Sequence, residues 1–171
     1  MVAGQRGQRH GPRQRGGETT GRNPTDRGKP GSKRHLVVDA QGIPLAVQLT
    51  AANVNDVTRF EALLEAIEPI KRPLGRPRKR PAKVHADKAY QAAHCRAYLR
   101  RYGMACRIAR KGIESSERLG RHRWVVERTL AWLNQFRRLT VRYERRAAIH
   151  EAFLHLGCAL ICWNFLQAQF C

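Results

Sequence analysis

With 171 residues, of which 42% are hydrophobic, the chain has room for one domain around a modest core. Lys and Arg number 33 against 13 Asp and Glu, a formal net charge of +20, which points to a nucleic-acid partner in preference to a membrane surface or a small acidic substrate. The five cysteines, Cys95, Cys106, Cys158, Cys162 and Cys171, are odd in number and have no Cys-x-x-Cys spacing, which argues against a disulfide framework and a zinc site and fits a reducing cytoplasm.

Residues 1–33 are rich in Gly, Arg, Gln, Pro and Thr, with almost no apolar residues after Val2 and Ala3. They are expected to form a flexible basic arm, either a solvated tail or a segment that touches phosphates without reading sequence. The polar residues after Met1 predict no secretory leader. The ordered domain is expected over 34–171.

Order begins at Leu36, Val37 and Val38. The turn residues 39–42 and the run 43–50 follow, predicting an antiparallel hairpin with Pro44 near a strand start or on an edge. Asn55 can cap a helix that carries Val57, Phe60, Leu63, Leu64 and Ile67 at helical spacing and stops before Pro69. A proline-broken basic linker over 71–80 comes next. Its Gly75, Arg76 and Pro77 resemble an AT-hook core; the plainer reading is a basic loop with Arg76, Arg78, Lys79 and Arg80 on backbone phosphates. A short strand over 83–86 delivers Asp87 and Lys88. A helix over 91–102, stopped by Gly103, a strand over 105–109 and a polar loop over 110–119 lead to a helix from about 121 to 138. A second long helix, from about 149 to 169, follows. Its apolar stretch 152–166 is shorter than the roughly 20 residues that cross a bilayer and carries His155 and Asn164, so a buried core helix is expected, with Cys158 and Cys162 as packing residues. This order of elements belongs to a mixed-sheet α/β domain.

Two acids carry the chemistry. Asp87 ends the short strand and Glu127 sits within the first long helix, where 123, 127, 131 and 134 share one face and Val126, Leu130, Leu133 and Phe136 form an apolar stripe on another. Carboxylates are the ligands Mg²⁺ or Mn²⁺ takes, and phosphodiester cleavage uses two such cations about 4 Å apart. The plainer readings are a turn or cap role for Asp87 and a surface ion pair for Glu127 between Arg123 and Arg128. Lys88, Arg123, Arg137 and Arg138 are candidate DNA contacts, the last two placed at the negative end of the helix dipole. His85 and His122 read as structural or DNA-contacting residues before metal ligands.

From about Gly17 to Leu166 the chain resembles the C-terminal part of an insertion-sequence transposase of the DDE type. The matching residues include Gly21, Arg22, Asn23 and Pro24, the hairpin over 39–49, Ala52 and Asn53 with Asp56, the segment 85–90, and Arg123 with Glu127, followed by Trp132, Leu133, Phe136, Arg137, Arg138 and Leu139. The resemblance implies a ribonuclease H-like mixed sheet with flanking helices, Asp87 as the second metal-binding Asp, Glu127 as the third acid, and Mg²⁺ or Mn²⁺ as cofactor. Gly120 and Asn134 stand where the family signature has Tyr and Lys. The first catalytic Asp, the strand that bears it and the family's N-terminal DNA-recognition region have no counterpart before Gly17, and Asp26 and Asp39 lie in loop and turn positions that suit a substitute ligand poorly. The expectation is therefore a catalytic-domain fragment lacking its first strand, marginally stable and inactive alone. Double-stranded DNA, as transposon ends and target, is its expected partner, with a second copy or an upstream reading-frame product beside it in the cytoplasm. A non-catalytic DNA-binding regulator is the alternative. An RNA-binding structural protein ranks below it, because no aromatic base-stacking platform is visible.

Overall fold

A computed structural model of the chain describes residues 2–10, 17–24, 27–109 and 116–170, without the side chains of 2–10, 116–123 and 169–170. Its strands are β1 (Val2–His10), β2 (Gly21–Arg22), β3 (Pro30–Val38), β4 (Pro44–Ala51), β5 (Lys83–Ala86), β6 (Ala105–Ile108) and β7 (Val141–Arg142). Its helices are α1 (Phe60–Glu65), α2 (Ala93–Arg101), α3 (Ser116–Leu133), α4 (Arg137–Thr140) and α5 (Ala147–Phe170).

The hairpin is as the residue pattern predicts. Both Gln41 and Ile43 donate their backbone N–H to Asp39 Oδ1 at 2.8 Å, and Gly42 takes a φ of +92° that only glycine adopts without strain. Pro44 opens β4, where its missing N–H is tolerated. Asn55 caps the entry to a 3-10 turn by accepting from Val57 N at 3.2 Å, and α1 continues from it.

The expectation of a missing first strand and a flexible arm over 1–33 is corrected. β1 lies at the centre of a mixed sheet of order β2-β3-β1-β5-β6, antiparallel to β3 through eight residue pairs and parallel to β5 through Val2–His85 and Ala3–Ala86. Residues 30–33 of the supposed arm belong to β3. The physical reason is that a strand's pairing uses backbone N–H and C=O groups, so polar side chains at Gln5, Arg6 and Gln8 leave the ladder intact. β4 and β2 both pair with β3, and β7 pairs with the far end of β1 at Arg9 and His10.

Period-two alternation divides the core between the two faces of this sheet. Val37, Val84 and Ala86 join Phe60, Leu63, Leu64, Tyr90, Cys95 and Leu99 from α1 and α2 on one side. Leu36, Val38 and Val47 join Val126, Leu130, Leu133, Leu154 and Ile161 from α3 and α5 on the other.

Two further expectations change. The first long helix ends at Leu133, because Phe136 is extended (φ −79°, ψ 114°); Arg137 and Arg138 therefore open the short α4 instead of closing the long helix, and the dipole argument for them lapses. The last helix has the expected span but is not a core helix all round. Leu154, Cys158 and Ile161 are buried, whereas Ile149, Leu156, Leu160, Trp163 and Leu166 are each at least 40% exposed. Composition alone showed an apolar run; only packing shows which face is covered.

Candidate active site

Asp87 follows β5 directly. Its Oδ1 accepts the Lys88 backbone N–H at 2.6 Å, capping the 3-10 turn Lys88–Tyr90, so the turn role foreseen for a lone Asp is real. A capping role and metal ligation are compatible, since each carboxylate oxygen accepts more than one contact. Along β5, Val84 and Ala86 enter the core beneath α1 and α2, and alternation assigns His85 to the opposite face; Asp87 comes directly after the strand, at the start of the turn.

Glu127 is exposed on α3, beside the buried stripe of Val126, Leu130 and Leu133. The helix packs on β1 and β3 and is pinned to the hairpin turn. Thr129 donates its hydroxyl to Gly42 O at 2.8 Å, and Arg128 donates to Gln41 O. The Arg128 guanidinium also lies 4.4 Å from the ring centre of Trp124 and 4.8 Å from that of Trp132. This clamp one residue from Glu127 escaped the sequence reading, although the spacing Trp124, Arg128, Trp132 is a visible signal for one helix face. Asn134, where the family signature has Lys, accepts from the buried Arg34 Nη2 at 2.7 Å and so ties the end of α3 to β3.

Asp87 thus follows a strand that pairs with β1, and α3, which carries Glu127, packs on β1 as well. Among the described residues no third acid is placed with either of them. One further step of the β1–β5 register sets Gly4 beside Asp87, and β1 contains no carboxylate. Among the described residues no group of three or more His, Cys, Asp or Glu can hold a metal ion. Asp39 is occupied within its turn, and Asp26 lies outside the described residues. The described donors alone therefore do not complete a two-cation site.

The basic candidates divide between two places. Arg76 is exposed in the 70–78 loop, which Ile70 and Arg78 close by mutual backbone hydrogen bonds of 2.9 and 2.8 Å. Lys79 and Arg80 lie 3.5 and 3.7 Å from the Glu65 carboxylate. Because Gly75 turns the loop with φ +89°, the segment is a clasped hairpin and not the extended ribbon of an AT-hook. Lys88 adjoins Asp87 at the opposite end of β5, on the order of 13 Å away at the rise of a strand. Arg137 and Arg138 are exposed and, with Tyr143, line a cavity of about 310 Å³; Arg138 also meets Glu144 at 2.8 Å. The side chains of Arg123 and His122 lie outside the described residues.

Comparison with known proteins agrees with this architecture. The sequence pattern described as Transposase DDE domain matches residues 6–165. The chain is 55% identical over 148 residues to a protein of Burkholderia cepacia assigned as the transposase for insertion sequence element IS402, covering 86% of this chain and 70% of that protein. It is 29% identical over 136 residues to a Brucella ovis protein assigned as the transposase for insertion sequence element IS6501, covering 76% and 96% respectively.

Proposed function

Because the chain belongs to the Transposase DDE domain family, we propose that it forms a ribonuclease H-like part of a transposase that binds DNA and contributes two of the acids of metal-dependent strand cleavage and transfer. Asp87 and Glu127 are the proposed metal ligands, with Mg²⁺ or Mn²⁺ as the cation their oxygens suit. Asp87 and Glu127 would each give a carboxylate oxygen to such a cation, which would supply charge neutralisation at the attacking and leaving oxygens of a phosphodiester. Arg76, Arg78, Lys79, Arg80, Lys88, Arg123, Arg137 and Arg138 are the proposed contacts to the DNA backbone, in a chain whose net charge of +20 favours a polyanion. The observation that supports the reading is that Asp87 comes directly after β5, a strand parallel to the central β1, and that α3, which carries Glu127, also packs on β1.

In this reading the chain binds DNA but does not cut it by itself, which the lack of any carboxylate in β1, with Gly4 one register step beyond the Ala3–Ala86 pair, supports. That observation also favours a second reading, a non-catalytic DNA-binding protein that regulates transposition. Calorimetry with Mn²⁺ separates the two. Under the first reading the chain takes up Mn²⁺, and Asp87→Ala and Glu127→Ala each abolish most of that uptake while duplex binding survives. Uptake unchanged in both variants leaves only the regulator. Nicking of supercoiled DNA by the purified wild-type chain with Mn²⁺ would contradict the proposed inactivity.

A further inference from the structure

We propose that the hairpin of residues 70–78 is a minor-groove element that inserts Leu74 between stacked base pairs of duplex DNA. The inference rests on the DNA-binding reading above and assigns part of that binding to one loop.

Leu74 is 87% exposed, far beyond the other large apolar residues on the surface, and contributes nothing to either core. A lone exposed leucine needs no explanation in general. This one differs in its setting. Residues 71–80 contain six cations, Lys71, Arg72, Arg76, Arg78, Lys79 and Arg80, and no acid. Leu74 stands next to the Gly75 turn, around which a side-chain atom would meet nothing within 4 Å, so the tip is open and narrow. The minor groove, about 6 Å wide, admits such a tip, and proteins that read it combine Arg or Lys with an apolar wedge that partly unstacks a base step.

The hairpin is also stiff, which a wedge requires. Pro73 and Pro77 fix their backbone φ on either side of the tip, and the two Ile70–Arg78 hydrogen bonds close its neck. Below the neck, Arg78 Nε donates to Arg80 O at 2.8 Å, and the Arg80 guanidinium lies 3.6 Å from the centre of the Tyr102 ring. Glu65 draws Lys79 and Arg80 onto α1 and also accepts the Tyr98 hydroxyl from α2. The base is thereby fixed to two helices while Arg72, Leu74 and Arg76 remain at the surface, so little ordering entropy is left to lose on binding. Behind the hairpin, a groove of about 420 Å³ runs toward Asp39 and Ala40, with Arg72, Arg78 and Lys83 along it. It offers a track for a phosphate strand beside the inserted tip.

The test uses the whole chain with A/T-rich duplexes carrying 2-aminopurine, whose fluorescence rises on unstacking. Wild-type protein should raise that fluorescence. Leu74→Ala should abolish the rise and weaken binding about tenfold, while Leu74→Met should keep both. Arg72→Ala and Arg76→Ala should each lower affinity and reduce the salt slope by about one. No rise with wild-type protein, an unchanged rise in Leu74→Ala, or a preference for an RNA hairpin over the DNA duplex would each overturn the proposal. If the chain binds duplex and Arg137→Ala with Arg138→Ala weakens it but the hairpin variants do not, this inference fails and the DNA-binding reading stands. If no duplex is bound at all, that reading fails as well.

Discussion

His35 should make the fold lose stability in mild acid, and the size of the effect follows from where the imidazole sits. It is fully buried in β3, with Nε2 2.8 Å from Thr50 Oγ1 on the paired β4 and no hydrogen-bond partner for Nδ1 among the described residues. Burial is the main cause that lowers its pKa from 6.5 to about 4; Asp56 opposes the shift, and Lys33 and Arg59 add to it. Below pH 6.5 the unfolded chain therefore takes up a proton that the folded chain refuses. This contribution to stability is fully present above 6.5 and is lost as the pH falls toward about 4. At about 1.4 kcal/mol per pH unit over that window, the loss is about 3 kcal/mol, a large share of an ordinary domain's stability. The replacement His35→Gln keeps a polar partner for Thr50 but cannot titrate. Urea unfolding followed by far-UV circular dichroism at steps between pH 7.5 and 4 should show the wild type falling about 3 kcal/mol further than the variant. Parallel curves over the whole range would refute the reasoning, because they would mean that the buried imidazole is protonated in the folded state or that the unfolded one is not.

Removing the neighbouring acid should also be costly: Asp56→Ala leaves the Lys33 ammonium, 2.8 Å from the carboxylate and 14% exposed, without its counter-charge, and about 3 kcal/mol should be lost at pH 7 in the same urea assay, mostly independent of salt. Gly42→Ala should cost about 2 kcal/mol, since φ is +92° and a new Cβ would lie 2.9 Å from Thr129 Oγ1 and 3.1 Å from Arg128 Nη2. It should also loosen the seat of α3 beside Glu127, read as faster hydrogen exchange over 124–133 than in wild type; unaltered exchange there would show that the turn does not hold the helix.

What could be read from the residues depended on how much each element owes to its own side chains. The hairpin, β5, β6 and the apolar stripe of α3 carry their periodicity openly, and the structure has them where the pattern put them. β1 carries no such pattern. Its residues 4–9 are Gly, Gln and Arg, and its place between β3 and β5 is dictated by the unpaired ladders of those two strands, a tertiary demand that no window of local sequence registers. The end of α3 was misplaced for a related reason. Helical spacing of Phe136 with Leu133 persists on paper, but Phe136 is extended, and Thr140 Oγ1 donates to Asn134 O at 2.6 Å to close the turn that follows. The polar links that seat the candidate site, Arg34 to Asn134 and Thr129 to Gly42, span 100 and 87 residues and belong to the fold alone.

The central strand also separates two requirements that are met together in a complete catalytic sheet. Folding requires from β1 only backbone donors and acceptors, which Gly4 provides as well as any residue and without the bulk of a side chain. The proposed chemistry would require a further carboxylate, because two cations held by two acids leave charge unbalanced and coordination unfilled. A chain that satisfies the first demand and not the second keeps its helices over the sheet and its basic hairpin at the surface. On the proposed function, such a chain would bind DNA without itself completing the reaction.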